Sequence, residues 1–243
     1  MAVCMQMDKL GRHSVEPLYQ TFLKSGGTMS LYKEALIMRG TSKELSYAIG
    51  IDEAGRGPIA GPVAVGVVVL KPGFQEKVFA GARDSKRMAM HQRERVYAVM
   101  EEERLQGRID FAVGFSSHSV IDRRGITRAI DVALKAALSR VFKRLDCSPD
   151  ACVVVLDGSL RAPKVFTKQT TIIGGDDKVL AISLASIAAK VTRDKRMHSY
   201  ARKYREYGFE QHKGYGTREH YRSIVQNGMC PIHRKTYVKL KGV

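Results

Sequence analysis

Two short runs of apolar residues constrain the fold of this chain more than any other feature. Val63–Leu70 contains only apolar residues around one glycine, and Cys152–Leu156 is apolar throughout. Runs this short match strands, and the lack of alternation with polar residues is typical of a strand buried on both faces. Because such a strand needs helices on both sides of its sheet, the two runs predict an α/β fold.

The rest of the chain alternates between strand and helix patterns, which predicts a central mixed β-sheet flanked by helices, with a helical C-terminal part. Further strands are predicted at Tyr47–Ile51, Phe111–Phe115 and Lys164–Ile173. Helices are predicted at about Ala89–Leu105, His118–Leu145, Asp177–Tyr204 and Arg218–Gln226.

Three regions are predicted along the chain. Residues 1–46 show no strong period and are expected to form a loosely ordered N-terminal extension. Residues 47–194 carry the alternating pattern and form the expected core. Residues 195–243 are basic and rich in tyrosine, and they are expected to complete a binding cleft.

The positive charge is concentrated near the C-terminus. Of a formal net charge of +17, residues 195–243 contribute about half, with 12 basic and 3 acidic side chains. They also hold seven of the 18 aromatic residues: Tyr200, Tyr204, Tyr207, Phe209, Tyr215, Tyr221 and Tyr237. Basic and aromatic residues together suit nucleic acid as a partner. The alternative is an amphipathic helical tail whose tyrosines pack inward, and both can hold together.

Composition excludes several classes of protein. The 44% hydrophobic content argues against disorder as the main state, and the lack of an apolar run of bilayer length argues against a membrane protein. The positive charge indicates an anionic partner, nucleic acid or a membrane surface, between which charge alone does not choose. We expect nucleic acid and no membrane as the partner. The four cysteines form no disulfide framework or zinc pattern, and the N-terminus lacks an apolar signal region. We therefore expect reduced thiols and a cytoplasmic protein.

The first chemical signal is an acidic pair before a glycine-rich turn. Asp52 and Glu53 follow the predicted strand Tyr47–Ile51, and the segment Gly55–Pro58 follows them. Neighbouring strand residues point to opposite faces, so both carboxylates can serve one site only if the strand ends there. The backbone N–H groups beside Arg56 could receive a phosphate or a sugar. The alternative is an acidic surface turn.

Two further signals place carboxylates near the same edge of the sheet. Asp157 leaves the strand Cys152–Leu156, and Asp176 follows two glycines after the next predicted strand. Asp177 is predicted to cap a helix whose many Ala and Ser residues would let it lie close to the sheet. The alternatives are a turn residue for Asp157, and for Asp176 and Asp177 a role only in stabilising the helix dipole.

Carboxylates that converge without His or Cys select hard cations such as Mg²⁺ or Mn²⁺. Four of them carry a formal charge of −4, which two divalent ions would balance. This arrangement predicts a two-metal site that acts on a phosphodiester.

The motifs resemble those of the ribonuclease HII family, the type 2 ribonucleases H. The resemblance runs in order over about residues 47–237. Its motifs are Gly50–Val63, Asp84–Lys86, Leu156–Gly158, Gly175–Lys178 with Ala185–Asp194, His212–Thr217 and Pro231–Arg234.

The resemblance implies a ribonuclease H-like fold and an endoribonuclease. Such an enzyme cuts RNA in RNA–DNA hybrids and cuts 5′ of single ribonucleotides in duplex DNA, using two metal ions and leaving a 3′-hydroxyl and a 5′-phosphate. It also implies roles in ribonucleotide removal from DNA and in RNA-primer removal, and a monomer is expected.

The resemblance assigns roles to particular residues of this chain. Its metal-binding, catalytic carboxylates fall on Asp52, Glu53, Asp157 and Asp176. The family motif whose backbone recognises the 2′-hydroxyl falls on Gly55, Arg56 and Gly57. The family tyrosine that stacks on the deoxyribose next to the ribonucleotide falls on Tyr215. Phosphate contacts are expected from Lys86, Lys190 and Lys213.

This sequence departs from the family pattern at two positions. Ser159 stands where Asn is frequent, and Asp177 stands where Ser or Ala is common. The fourth metal ligand therefore stays open between Asp176, Asp177 and Asp194. Two other functions also remain open, a non-catalytic nucleic-acid-binding protein and a DNA resolvase of the same fold.

Overall fold

The computed structural model of the chain describes residues 47–82 and 87–240. The predicted extension at residues 1–46 and the residue Lys86 lie outside the described residues. The strands are β1 Tyr47–Ala54, β2 Val63–Leu70, β3 Ile109–Ser116, β4 Cys152–Asp157 and β5 Gln169–Ile172. The helices are α1 Met90–Leu105, α2 His118–Arg124, α3 Ile126–Phe142, α4 Gly175–Lys178, α5 Leu180–Lys203, α6 Phe209–His212 and α7 Arg218–Asn227.

The five strands form one mixed sheet in the order β3-β2-β1-β4-β5. The pairs β1/β2 and β2/β3 are antiparallel, whereas β1/β4 and β4/β5 are parallel. The predicted mixed sheet is therefore confirmed. Each of the two apolar runs forms a strand whose apolar residues are buried, as the lack of alternation with polar residues predicted.

Helices cover the two faces of the sheet. On one face α5 packs with α1 on the even-numbered residues of β1 and β2, and on the other face α3 packs on the odd-numbered residues. Small residues of α5 lie against glycines of the sheet, and the helix approaches the sheet closely, as the sequence predicted. A Cβ atom added to Gly50 would lie 2.1 Å from the Ala181 backbone, and one added to Gly66 would lie 2.1 Å from the Ala185 carbonyl oxygen.

The C-terminal part builds a third apolar cluster, which we call the C-terminal cluster. It consists of Ile59, Ala60, Met197, Ala201, Tyr207, Phe209, Ile224 and Ile232. Its first two members belong to the loop between β1 and β2, so this loop is held between the sheet and the C-terminal helices. The predicted division after residue 194 falls inside α5, and the division of the chain into regions stays a prediction.

Several predicted elements differ from the structure. The predicted helix His118–Leu145 is broken at Gly125, whose φ of 78° ends α2, and only Gln169–Ile172 of the predicted strand Lys164–Ile173 is a strand. The predicted cap by Asp177 is wrong, because this residue lies within α4 and Val179 precedes α5. Within residues 47–82 and 87–240, no helix combines the length and the hydropathy of a membrane span.

Candidate active site

The register of two parallel strands brings two of the predicted carboxylates together. Ile51 of β1 pairs with Leu156 of β4, so Asp52 and Asp157 occupy neighbouring positions at the carboxyl ends of these strands. Asp52 is buried, and Asp157 is partly buried. This is the edge at which the sequence predicted that the carboxylates would meet.

Asp52 lies in an environment that disfavours a lone negative charge. Burial raises the pKa of Asp52 to about 8, although a hydrogen bond with Ser186 of α5 opposes the rise; the charges of Glu53 and Asp157 raise the pKa further. The site therefore concentrates negative charge in a desolvated position, and a bound cation would offset this charge.

Glu53 follows Asp52 within β1, which does not end at this pair as predicted but pairs with β2 as far as Ala54. The pairing of β1 with β4 stops earlier, at Ile51, so both carboxylates lie beyond the last residue of β1 that β4 pairs with. The Oε1 atom of Glu53 lies 3.1 Å from a guanidinium nitrogen of Arg56, which joins this carboxylate to the loop that follows.

The three candidates for the fourth carboxylate differ in their surroundings. Asp176 is fully buried and follows Gly175, whose N–H donates to Asp157 Oδ1 at 2.7 Å. Asp177 is exposed. Asp194 forms an ion pair with Lys190 at 3.0 Å. The structure thus places the residue before Asp176 in contact with Asp157, and it gives Asp194 a cationic partner.

The donor set fits a hard divalent cation, because the predicted ligands offer carboxylate oxygens and no nitrogen or sulfur. In the described part of the chain, however, no group of three or more His, Cys, Asp and Glu side chains is arranged to hold a metal ion. The assignment of Asp52, Glu53, Asp157 and Asp176 as metal ligands therefore stays a prediction.

Three of the predicted substrate-binding residues lie close together, and the loop among them follows the acidic pair directly along the chain. A Cβ atom added to Gly57 would lie 3.9 Å from the Tyr215 ring, and 45% of the Tyr215 surface is exposed. The ammonium group of Lys190 lies 5.9 Å from the centre of the same ring. The structure thus joins the glycine loop, the tyrosine and one of the predicted lysines in one exposed surface.

Lys213 contributes to this surface mainly through its backbone. It has a φ of 52°, and it is the one residue other than glycine with a positive φ among those described. Its carbonyl oxygen accepts a hydrogen bond from Arg193 at 3.1 Å. The turn at Lys213 leads directly into Gly214, whose carbonyl oxygen accepts from Ile59 N–H at 2.8 Å.

Sequence reasoning missed the two buried arginines beneath the loop. Arg193 and Arg234 are both fully buried, although each belongs to a motif that was recognised. Their hydrogen-bond partners are backbone carbonyls, and carbonyl direction leaves no signal in a single sequence.

A chain of buried histidines behind Tyr215 was also missed. The Tyr215 carbonyl can only accept, so His220 Nδ1 donates to it at 2.8 Å. In the neutral ring His220 Nε2 then accepts from His233 Nε2 at 3.0 Å, and His233 Nδ1 accepts from Cys230 N–H at 2.9 Å. One neutral arrangement of protons thus satisfies both rings and fixes the Tyr215 backbone.

This arrangement predicts a loss of stability in acid. Burial lowers the pKa of His220 to about 4 and lowers the pKa values of His212 and His233. The unfolded chain takes up protons near pH 6.5 and the folded chain does not, so stability present above that pH is lost as the pH falls towards 4. Comparison of the wild type with His220→Asn isolates this residue, and its contribution to the free energy of urea unfolding should be about 2 kcal/mol smaller at pH 5 than at pH 7.5.

The control for this prediction is His91→Asn on α1, where the side chain is exposed. The free energy of unfolding of the wild type minus that of His220→Asn should fall by about 2 kcal/mol from pH 7.5 to pH 5, whereas the same difference for His91→Asn should not change. An equally steep dependence in His220→Asn would contradict the prediction.

Comparison with known proteins identifies a family that matches most of the chain. The sequence profile described as Ribonuclease HII matches residues 49–241. Ribonuclease HII of Clostridioides difficile (strain 630) is 42% identical over 200 residues, which cover 82% of this chain and 73% of that protein. Ribonuclease HII of Bacillus licheniformis is 39% identical over 238 residues, which cover 95% of this chain and 87% of that protein.

A solved structure shows the same architecture. The crystal structure of ribonuclease H2 from Pyrococcus horikoshii OT3 aligns with a TM-score of 0.60 and 27% sequence identity. The alignment covers 80% of this chain and 95% of that one. The predicted ribonuclease H-like α/β fold is therefore confirmed.

Proposed function

The chain belongs to the ribonuclease HII family, and we propose that it cleaves 5′ of single ribonucleotides in duplex DNA as well as within RNA–DNA hybrids. Membership makes it an endoribonuclease with ribonuclease H activity on hybrids, in a family that depends on divalent metal ions. The proposal adds the finer substrate, the products, which are a 3′-hydroxyl and a 5′-phosphate, and roles in ribonucleotide and RNA-primer removal.

The observation that carries this proposal is the meeting of three features at one edge of the sheet. Asp52 and Asp157 are neighbours across β1 and β4, and the loop of Gly55–Gly57 follows Asp52 directly. Tyr215 packs beside that loop. Such an arrangement suits a nucleic-acid substrate: the acidic pair would act at the phosphodiester, while the loop and the exposed aromatic ring contact the neighbouring sugars.

We propose that Asp52, Glu53, Asp157 and Asp176 hold the metal ions. Two Mg²⁺ or Mn²⁺ ions bound there would supply charge stabilisation to the phosphodiester and its leaving oxygen. The protein's part is to keep these carboxylates desolvated and fixed. Burial of Asp52 against α5 and the hydrogen bond from Gly175 N–H to Asp157 Oδ1 support this role.

Recognition of the ribonucleotide is assigned to the loop and the tyrosine. The 2′-hydroxyl is the chemical difference between the substrate and plain DNA. Backbone groups at Gly55, Arg56 and Gly57 would read it, and Tyr215 would stack on the next deoxyribose. Lys86, Lys190 and Lys213 would contact phosphates, which predicts binding that weakens as salt increases.

The function is tested with a duplex that contains one ribonucleotide. We expect Mg²⁺-dependent cleavage on its 5′ side, and no cleavage with EDTA or of the all-DNA duplex. Cleavage of the all-DNA duplex would instead favour a resolvase-like nuclease, and binding without cleavage would favour a non-catalytic protein. Ion preference follows from repeating the assay with Mn²⁺.

Removing the Tyr215 ring should affect the two substrates unequally. A long hybrid offers no DNA junction at most of its positions, so the predicted stacking matters less there. For Tyr215→Ala we expect kcat/KM to fall about 10-fold more on a single embedded ribonucleotide than on a long hybrid, the scale of one stacked base.

The control for this prediction is Tyr221→Ala, which removes a tyrosine of α7 that packs against the C-terminal cluster. It should lower both rates in the same proportion. Equal losses on the two substrates in Tyr215→Ala would refute the junction role.

A further inference from the structure

Arg234 binds the loop that follows β1 through its backbone carbonyls. Its Nη2 donates to the Gly55 oxygen at 2.7 Å, its Nη1 to the Arg56 oxygen at 2.9 Å, and its Nε to the Gly61 oxygen at 3.0 Å. The Arg234 N–H also donates to the Ile59 oxygen at 2.8 Å. One residue thus holds four carbonyls of a single loop.

The planarity of the peptide bond converts these contacts into the direction of two N–H groups. In a trans peptide the C=O of one residue and the N–H of the next point to opposite sides, and no cis peptide is present in the described residues. Because the carbonyls of Gly55 and Arg56 point inward to Arg234, the N–H groups of Arg56 and Gly57 point outward.

The outward side of these two peptides is the candidate substrate surface. Arg56 and Gly57 are exposed, whereas Gly55 and Pro58 on either side are buried. Gly57 lies next to the exposed Tyr215 ring.

We propose that Arg234 is a positioning residue for recognition of the 2′-hydroxyl, because it fixes the peptide planes that direct the Arg56 and Gly57 N–H groups to the substrate. This inference rests on the proposed reading of the ribonucleotide by that loop. Arg234 itself lies behind the loop and does not touch the substrate.

A guanidinium is suited to this role in a way that an ammonium is not. Its planar fork presents N–H groups in fixed directions, so it can hold carbonyls that diverge from one another. Arg234 is fully buried, and its hydrogen bonds go to loop carbonyls rather than to carboxylates in the described part of the chain. Burial lowers its pKa to about 10, which leaves the side chain charged at neutral pH.

Arg193 offers a matched comparison, because it is equally buried and donates hydrogen bonds to other carbonyls. It donates to the carbonyls of Pro62 at 3.0 Å, Ala60 at 3.4 Å and Lys213 at 3.1 Å. It therefore stabilises the loop without hydrogen bonds to the Gly55 and Arg56 carbonyls, and it packs against Gly55, where an added Cβ would lie 2.0 Å from its Nε.

The experiment measures selectivity rather than activity alone. With Ca²⁺ in place of Mg²⁺, the Kd of each protein is measured for two duplexes of the same sequence. One contains a single ribonucleotide, and the other is made of DNA alone. For Arg234→Lys we expect the preference for the ribonucleotide to fall by about 3- to 10-fold, the scale of one hydrogen bond. For Arg193→Lys we expect lower stability with the preference kept.

The ratio of the two Kd values separates positioning from folding, because a misfolded fraction weakens both in proportion. Should Arg234→Lys fail to fold, Arg234→Gln keeps two N–H donors and is measured in the same way. In the wild type, the amide signals of Arg56 and Gly57 should shift more with the ribonucleotide duplex than with DNA.

The outcomes distinguish this inference from the proposed function. A wild type that binds both duplexes equally would contradict the reading of the 2′-hydroxyl itself. A wild type with a clear preference, retained in the folded Arg234 variants or lost equally in Arg193→Lys, would overturn the positioning role and leave the function standing.

Discussion

Replacing Asp52 by Asn should lower kcat for cleavage of a hybrid by at least about 100-fold, the scale of losing one preorganised electrostatic group. The side chain is buried at the point where β1 and β4 meet, and Asn keeps its shape while removing its charge. Because burial and the neighbouring carboxylates disfavour that charge in the free protein, Asp52→Asn should unfold at the same or a higher urea concentration than the wild type.

The matched control is Asp110→Asn in β3. Asp110 is as buried as Asp52, but it lies away from the candidate site. Its carboxylate accepts two hydrogen bonds from Arg144, at 2.8 Å and 3.0 Å. This change should lower stability and leave kcat within about 2-fold, the reverse of the Asp52 result. Full activity in Asp52→Asn would remove the basis of the metal assignment.

The fourth carboxylate is identified by the same assay applied to three variants. Asp176 is buried next to the Gly175 contact with Asp157, Asp177 is exposed, and Asp194 is paired with Lys190. We therefore expect the largest loss of kcat in Asp176→Asn. A larger loss in Asp177→Asn or Asp194→Asn would move the assignment to that residue.

Adding one methyl group at Gly66 should lower the free energy of unfolding by about 3 kcal/mol, because the contact between α5 and the sheet leaves no room for it. The added Cβ would lie 2.1 Å from the Ala185 carbonyl oxygen, which is backbone and cannot rotate away. The helix would have to move off the sheet, and Ser186 beside Asp52 would move with it. Activity should therefore fall along with stability.

Gly73→Ala is the control for this prediction. Gly73 has a φ of 87°, and a Cβ there would meet no atom within 4 Å, so the change adds backbone strain of about 1 kcal/mol without a clash. Urea unfolding curves give both values. Equal losses in the two variants would show that the close contact of α5 with the sheet does not limit stability.

The sequence predicted those parts of the fold that depend on local pattern. The apolar runs gave β2 and β4, and the small residues of α5 predicted its close approach to the sheet. The carboxylates of Asp52 and Asp157 were predicted to meet because each leaves a buried strand. The prediction that β1 ends at Asp52 was wrong, since pairing with β2 continues past the acidic pair to Ala54.

The parts that could not be predicted depend on contacts between distant segments. Arg193 reaches a carbonyl 131 positions away, and Arg234 reaches one 179 positions away. The His220–His233 pair likewise joins α7 to the segment after it through ring nitrogens whose orientation no pattern reveals. The family resemblance supplied roles for Gly55, Arg56 and Gly57, but it did not say what holds them.

The dependence of one loop on two distant arginines also bears on how this sequence can change over evolutionary time. A substitution that redirects a carbonyl between Gly55 and Pro62 leaves one N–H of a buried guanidinium without its acceptor, and loss of either arginine leaves buried carbonyls unpaired. Single substitutions in the loop or at either arginine are therefore not expected to be neutral. We expect correlated substitutions among homologues at three positions, so that changes occur together or not at all: Gly55, Arg193 and Arg234.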